Sequence, residues 1–381
     1  MAVKAEHPHW HRRRAPAMSP IGPRRASFTA FGLAALALAA ACRRTPPEAA
    51  RATERQESAS PRFFAAVALG LFGHPSDPAQ ADADMAAIQA LGATGVVLPV
   101  FWRSADVTST KIEPFAYGVP QSAYDRSTIE IARRAHARGL AFEVLPIVQL
   151  EKLAVDEWRG TLRPSDWEPW WRSYRTFILH HAGIAEAANA EFYSVGSELG
   201  STESDRASWS ALIAEVRRVY RGRILYSANW DHYEAVTFWD LLDGIGLSSY
   251  YELASTADAP QAVLDEAWRV QRDRILAWAR PFGKPVFLTE VGYPARSGAA
   301  VHPWDYTQNE PVDAEAQARC FRAFAAAWQD APELGGATIW IWDHGKSGPA
   351  DPSYSISGKP AAGVVRRFFA RRTSHRHTQG P

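Results

Sequence analysis

The feature that most constrains the fold is a pattern repeated along most of the chain: a short apolar run, a loop and an amphipathic helical segment. Eight such runs, rich in β-branched and aromatic residues, have the pattern of buried parallel strands. They are Phe64–Phe72, Gly95–Phe101, Ala141–Val148, Phe192–Gly196, Ile224–Ala228, Gly244–Ser248, Val286–Thr289 and Ala337–Trp342. Helical patterns between and after them include Ser127–Arg138, Trp167–Ala188, Ser208–Tyr220, Val263–Ala279, Asp313–Gln329 and Lys359–Ala370. Eight βα units favour an α/β fold, a single (β/α)₈ TIM barrel, over a doubly wound sheet.

Two glutamates stand at the carboxyl ends of predicted strands. Glu198 closes the run that begins at Phe192, and Glu290 closes the run that begins at Val286. A carboxylate is costly inside a core, but strand ends form the active sites of (β/α)₈ barrels. Two carboxylates in equivalent positions, far apart in the chain, therefore indicate acid/base and nucleophilic chemistry on a glycosidic bond. The alternative is that each forms a salt bridge at the barrel rim.

Polar and aromatic side chains recur after the other predicted strands, where the barrel would open. Aromatic faces stack on sugars, and amides and carboxylates bind hydroxyls, so these residues are candidate substrate contacts. The alternatives are rim packing for the tryptophans and turn capping for the polar residues. The candidates are Trp102, Asn229, Trp230, Asp231, Tyr250, Trp304 and Trp342.

Composition and motifs exclude several functional classes. The 42 Lys and Arg residues nearly balance the 41 Asp and Glu residues, so no overall charge favours nucleic acid. The first strand is followed by neither GxGxxG nor GxxxxGK[ST], and the chain has no HExxH motif. Its two cysteines, Cys42 and Cys320, form no CxxC site, and a buried free thiol is the simplest interpretation of Cys320. We therefore expect no metal or organic cofactor, and a monomer.

The amino-terminal segment has the pattern of an export signal. Arg24 and Arg25 precede an apolar run that ends directly before Cys42, and the run is shorter than the roughly 20 residues of a membrane span. Three alternatives stay open: a bacterial lipoprotein acylated at Cys42, a cleaved secretory signal, or an uncleaved anchor. Translation from Met18 would leave a conventional signal. We expect membrane contact only through such a lipid, and the predicted domains are a leader at 1–42, a flexible tether at 43–60, a catalytic barrel at 61–371 and a disordered tail at 372–381.

Several segments, in the same order, resemble glycoside hydrolase family 113, whose characterised members are mainly endo-β-1,4-mannanases. The resemblance runs from about Phe63 to Phe369 and is carried by Leu98–Trp102, Ala135–Leu140, Trp158–Gly160, Ser194–Leu199, Tyr226–Asp231, Phe238–Asp240, Gly244–Tyr250, Leu288–Tyr293 and Gly358–Ala361. It implies a retaining (β/α)₈ glycosidase in which Glu198 is the general acid/base and Glu290 the nucleophile. Many relatives carry Asn directly before the acid/base, and that Asn usually contacts the sugar 2-hydroxyl. This chain has Ser197 there, so its contacts to the sugar 2-hydroxyl should differ.

The implied mechanism makes two demands on the site. The acid must be protonated and the nucleophile ionised, so we expect a raised pKa at Glu198 and a hydrogen bond from Tyr250 that keeps Glu290 ionised. The substrate would be a β-linked polysaccharide or oligosaccharide. Alternatives are a β-glycosidase for another glucan, xylan or surface polymer, a catalytically inactive glycan-binding lipoprotein, and a structural protein of the cell surface.

Overall fold

Eight parallel strands form a closed barrel in the computed structural model, which describes residues 63–71, 77–115 and 119–374. Each strand pairs with its neighbours in chain order, and β1 pairs with both β2 and β8, which closes the sheet. The predicted (β/α)₈ barrel and its eight strands are confirmed. The strands are β1 (Phe64–Gly70), β2 (Gly95–Ser104), β3 (Ala141–Leu150), β4 (Phe192–Ser197), β5 (Arg223–Ala228), β6 (Ile245–Ser248), β7 (Val286–Val291) and β8 (Leu334–Asp343).

Helices surround the barrel, and the six that the sequence predicted are present. Their ends shift by up to two residues, except that α2 starts six residues before Ser127 and α7 ends four residues after Ala370. They and one further helix are α1 (Pro78–Gln89), α2 (Gln121–Ala137), α3 (Trp167–Ala187), α4 (Arg206–Val219), α5 (Gln261–Ala279), α6 (Ala314–Trp328) and α7 (Pro360–Ser374). Helix α1 was not predicted because its Ala- and Asp-rich sequence lacks an apolar stripe. The start of α1 could have been predicted from its capping residues. Asp77 accepts a hydrogen bond from the amide of Ala79, and Pro78 occupies the first turn.

Two connections differ from a regular βα repeat. Between β5 and β6 the chain forms two short 3₁₀ turns, Tyr233–Ala235 and Trp239–Leu241, in place of an α-helix. A two-residue strand, Glu113–Pro114, pairs antiparallel with the end of β2.

Helix α7 continues to Ser374, three residues past the predicted end of the barrel domain at 371. The leader at 1–42 with Cys42 and Met18, and the tether at 43–60, lie outside the described residues and stay predictions. In the part of the chain that the structure describes, the helices are too short or too polar for a membrane span.

The core has two layers because side chains alternate across each strand. On β3, Phe142 and Val144 face the helices, whereas Leu145 and Ile147 face the barrel interior. Large rings such as Phe64 and Phe192, whose centroids are 4.4 Å apart, fill the interior. The barrel is therefore a packed core, and its polar groups lie nearer the carboxyl ends of the strands.

Above this apolar packing lies a buried polar layer. The Ser194 hydroxyl donates a 2.8 Å hydrogen bond to Glu143 Oε1, and the hydroxyls of Ser227 and Thr289 are 2.6 Å apart. Burial raises the pKa of the Glu143 carboxyl from 4.5 to about 7, against the lowering effect of the Ser194 hydrogen bond. Because the folded state favours the neutral acid, ionisation of Glu143 opposes folding as pH rises from the unfolded pKa through the folded one.

Glu143→Gln should therefore stabilise the protein at alkaline pH. The amide keeps the size of the side chain but has no charge to bury, so we expect a gain of about 3 kcal/mol in the free energy of unfolding at pH 8. The gain should be small at pH 5, where the wild-type carboxyl is mostly neutral when folded. Urea denaturation of both proteins at the two pH values measures it. A stability difference that does not vary with pH would contradict the buried-acid interpretation.

Candidate active site

Glu198 follows β4 and is held in an unusual backbone conformation. Its φ is +55°, in the left-handed region that residues other than glycine rarely adopt. Its amide donates a 2.7 Å hydrogen bond to the carbonyl of Ser227 on β5. Its side chain is buried, with Oε2 2.5 Å from Nη2 of Arg159 and Oε1 accepting a hydrogen bond from the Ser248 hydroxyl. An ion pair and a hydroxyl donor thus fix the position of the Glu198 side chain.

Glu290 lies near the end of β7 and is 3% exposed. The Tyr250 hydroxyl donates a 2.7 Å hydrogen bond to Glu290 Oε2, as the sequence predicted. Oε1 is buried and has no hydrogen-bond partner among the described residues. The two oxygens therefore differ: one is fixed by tyrosine, and the other is available for chemistry.

The two carboxyls share one electrostatic environment. Burial, followed by the negative charge of Glu198, raises the pKa of Glu290 from 4.5 to about 8, although Arg159 and the Tyr250 hydrogen bond lower it. The raised pKa favours the protonated form of Glu290 at neutral pH. The raised pKa that the sequence predicted at Glu198 stays a prediction. The sequence did not identify Arg159 as the ion-pair partner of Glu198.

Arg159 belongs to the site because of the tertiary fold. It lies in a 3₁₀ turn, Arg159–Thr161, between β3 and α3. Its guanidinium interacts electrostatically with both Glu198 and Glu290. The next residue must be small, because a Cβ on Gly160 would lie 2.3 Å from the ring of Trp158. The sequence placed the Trp158–Gly160 segment in the family pattern, but no local signal connected Arg159 with Glu198.

Four predicted contacts surround the pair or line its rim. Asn229 donates a 2.8 Å hydrogen bond to Asp231, and its Oδ1 lies 3.4 Å from the Ser248 hydroxyl that also serves Glu198. Trp230 is partly buried against Tyr251, with ring centroids 5.5 Å apart. Trp304 lies on the loop after β7, where its indole nitrogen is 3.4 Å from Glu252. These positions suit sugar contacts, and their roles stay predictions.

Trp102 and Trp342 were wrongly assigned as sugar platforms, because both face the helices. Trp102 is 6% exposed and packs on Phe177 of α3 at 5.2 Å, and the Trp342 indole donates a 3.2 Å hydrogen bond to Asp84 of α1. Their neighbours Phe101 and Trp340 pack with the barrel interior instead.

Strand alternation explains the first error, and a bulge explains the second. Consecutive residues on β2 face opposite sides, so Phe101 points inward where Trp102 points outward. On β8 the register against β1 shifts by one residue between Ile339 and Trp342. Counting the two-residue period along each strand would have identified Phe101 on β2 and Trp340 on β8. The same count would place Trp342 inward, because the sequence does not show the bulge that turns it outward.

The arrangement suits two-carboxylate chemistry. Two strand-end carboxyls, one hydrogen-bonded by tyrosine and one paired with arginine, have the elements of an acid and a nucleophile. Among residues 63–71, 77–115 and 119–374, no group of three or more His, Cys, Asp or Glu side chains is placed to hold a metal ion.

Comparison with known proteins connects this site with a family. The model of glycoside hydrolase family 113 matches residues 73–359. A solved structure of the family 113 β-mannanase AaManA from Alicyclobacillus acidocaldarius, in complex with ManMIm, is 30% identical, with a TM-score of 0.72 over 81% of this chain and 97% of that one. A second family 113 β-1,4-mannanase structure is 26% identical, with a TM-score of 0.72 over 81% of this chain and 99% of that one.

More distant structures share only the fold. A family 5 enzyme (GH5_18) from Streptomyces cattleya, in complex with GlcNAc, is 18% identical, with a TM-score of 0.56 over 84% of this chain and 82% of that one. No protein of curated function matches the chain. The family model nevertheless covers most of the chain, so the chain belongs to glycoside hydrolase family 113.

Proposed function

We propose that the protein is a retaining endo-β-1,4-mannanase in which Glu290 is the nucleophile and Glu198 the general acid/base. The observation that carries the proposal is the pair itself: a buried Glu290 with one oxygen held by Tyr250 and the other unpartnered among the described residues, beside a second strand-end carboxylate. The mannan substrate is supported by the family and by the β-mannanases among its solved structures.

In the first step, Glu290 Oε1 attacks the anomeric carbon while the bond to the leaving sugar breaks. Glu198 protonates the departing oxygen, which leaves as an alcohol, and the sugar stays on Glu290 as an ester. In the second step, Glu198 removes a proton from water as the water oxygen attacks the anomeric carbon. The ester bond breaks, Glu290 is again a carboxylate, and the β configuration is retained.

The raised pKa of Glu290 adds a requirement to this mechanism. Glu290 must be ionised and Glu198 must carry a proton at the first step, so substrate binding has to favour this arrangement. A glycosidic oxygen beside Glu198 provides an acceptor there, and the electron-poor anomeric carbon favours an ionised Glu290. Arg159 lowers the pKa of Glu290 and thereby favours its ionised form.

The sugar at the cleavage site is the open question for specificity. Ser197 occupies the position at which many relatives carry Asn, and its hydroxyl is buried without a hydrogen-bond partner in the part of the chain that the structure describes. The 2-hydroxyl is the group that distinguishes mannose from glucose, so the substrate test must include both.

The test compares reducing-end release by residues 61–381 on β-1,4-mannan, β-1,4-glucan and β-1,4-xylan, beside a Glu290→Ala control. We expect release from mannan, with a broad range of oligosaccharide lengths, and proton NMR should detect the β anomer first. Preferred cleavage of glucan or xylan would refute the mannanase assignment and keep the glycosidase. The α anomer as first product would refute retention, and no release from any polymer would favour a glycan-binding protein.

A further inference from the structure

A buried glutamate lies behind the site, where the proposed mechanism does not use it. The Glu203 side chain follows the short 3₁₀ turn Gly200–Thr202 and is completely buried. Its Oε1 accepts a 2.7 Å hydrogen bond from the Tyr226 hydroxyl, and its Oε2 lies 3.2 Å from Nδ1 of His232. That hydrogen bond raises the pKa of His232 and favours its protonated form. A buried carboxylate is costly, so its two partners account for how the fold tolerates it.

Tyr226 connects this glutamate with the backbone next to Glu198. Its hydroxyl oxygen accepts a 2.9 Å hydrogen bond from the amide of Leu199, the residue directly after Glu198. The ring is fully buried, with edge-to-face contacts to Trp209 and Phe238, each with centroids 5.2 Å away. The hydroxyl therefore has a fixed position from which to hold the Leu199 amide.

The chemistry of the carboxylate decides which way the hydroxyl points. A carboxylate can only accept hydrogen bonds, so the Tyr226 hydrogen must point towards Glu203. The oxygen lone pairs are then left for the Leu199 amide. Without Glu203, the hydroxyl would be free to rotate and its hydrogen could point at the amide it now accepts from.

The backbone of Glu198 needs such support. Its φ of +55° is sparsely populated for a residue with a Cβ and persists only where the surroundings hold it. Amide hydrogen bonds act on both sides of it: Glu198 itself bonds to the Ser227 carbonyl, and Leu199 bonds to Tyr226. The direction of the Glu198 side chain depends on this conformation.

We propose that Tyr226 and Glu203 are positioning residues that hold the Glu198 carboxyl in register with the leaving oxygen. The inference rests on the proposed role of Glu198 as general acid/base. Neither residue touches the substrate or the reacting atoms; both act through the peptide that follows Glu198.

The experiment uses Tyr226→Phe and two aryl β-mannobiosides that differ in their leaving groups. Departure of 2,4-dinitrophenolate needs no proton, whereas departure of a simple phenol depends on the acid. The value of kcat/KM reports the first step. If the Glu198 carboxyl is no longer aligned with the leaving oxygen, kcat/KM for the phenyl substrate should fall by roughly 10- to 100-fold. We expect little change for the dinitrophenyl substrate.

Tyr193→Phe is the matched control. Tyr193 is a fully buried tyrosine on β4, and its hydroxyl donates a 2.7 Å hydrogen bond to the Ile178 carbonyl, away from Glu198. It should change the two kcat/KM values by the same factor. Glu203→Gln keeps the side-chain size and should shift the ratio in the same direction as Tyr226→Phe. It also tests the inference if Tyr226→Phe does not fold.

Glu198→Ala separates the two levels of inference. If it shows no dependence on the leaving group, the acid/base assignment itself fails. If Glu198→Ala shows a strong dependence on the leaving group while Tyr226→Phe and Glu203→Gln lower kcat/KM equally for both substrates, the acid/base assignment stands and the positioning role is overturned. A larger loss of kcat/KM for the phenyl substrate than for the dinitrophenyl substrate in all three variants supports both the acid/base assignment and the positioning role.

Discussion

Replacing Glu290 with glutamine should lower kcat on β-1,4-mannan by about 10⁴-fold or more, because the amide cannot form the glycosyl ester. The variant keeps the size of the side chain and a group that can meet the Tyr250 hydroxyl. It also removes a buried acid whose pKa is raised to about 8. Reducing-sugar assays on purified proteins at several pH values measure the loss of activity.

The same substitution has an opposite effect on stability. The folded pKa of Glu290 lies above its unfolded value, so wild-type stability declines as pH rises from about 4.5 to 8. Glu290→Gln should be more thermostable than the wild type at pH 8 and similar at pH 5. Glu143→Gln is the matched control, since it also removes a buried acid with a raised pKa but should retain activity within about tenfold. A fully active Glu290→Gln would end the nucleophile assignment.

Replacing Arg159 with glutamine should both weaken the fold and move the pH profile. The change leaves Glu198 without its 2.5 Å ion pair in a mostly buried site, which costs about 3 kcal/mol. Arg159 lowers the pKa of Glu290, so its loss raises that pKa above about 8. The limb of the kcat/KM profile that reports ionisation of Glu290 should therefore move to higher pH. We expect kcat to fall by about 10²-fold.

Arg163→Gln provides the comparison within the same loop. Arg163 pairs with Glu157, but its side chain is 59% exposed, and an exposed pair contributes at most about 1 kcal/mol. It should leave the pH profile unchanged. If that limb for Arg159→Gln coincides with the limb of the wild type, Arg159 does not lower the pKa of Glu290, and its contact with Glu198 is only structural.

The fold was predictable because its signals are local. Each strand of the barrel is a continuous apolar run and most helices carry an apolar stripe, so the order of the runs alone indicates eight βα units. Helix α1 lacks that stripe and was missed. The connection after β5, where the sequence shows no helical pattern, forms 3₁₀ turns.

The carboxyl pair was predictable for a related reason. In a parallel barrel all strands end on one face, so a glutamate at the end of β4 and one near the end of β7 must open to the same site. Whether a strand-end side chain points into the barrel or towards the helices is harder to predict from the sequence. Regular alternation turns Trp340 inward, but a single extra residue in β8 then turns Trp342 outward against α1, and no sequence signal marks that bulge.

By itself, therefore, the sequence determined the barrel, the family pattern and the two glutamates, because periodicity and strand ends are properties of contiguous residues. Only the tertiary structure decided which groups contact the two carboxyls and the backbone beside Glu198. Those contacts involve Arg159, Tyr226 and Glu203, which come from separate connections or strands. Electrostatic energies depend on distance and burial in the folded chain, and the order of the residues does not by itself specify either quantity.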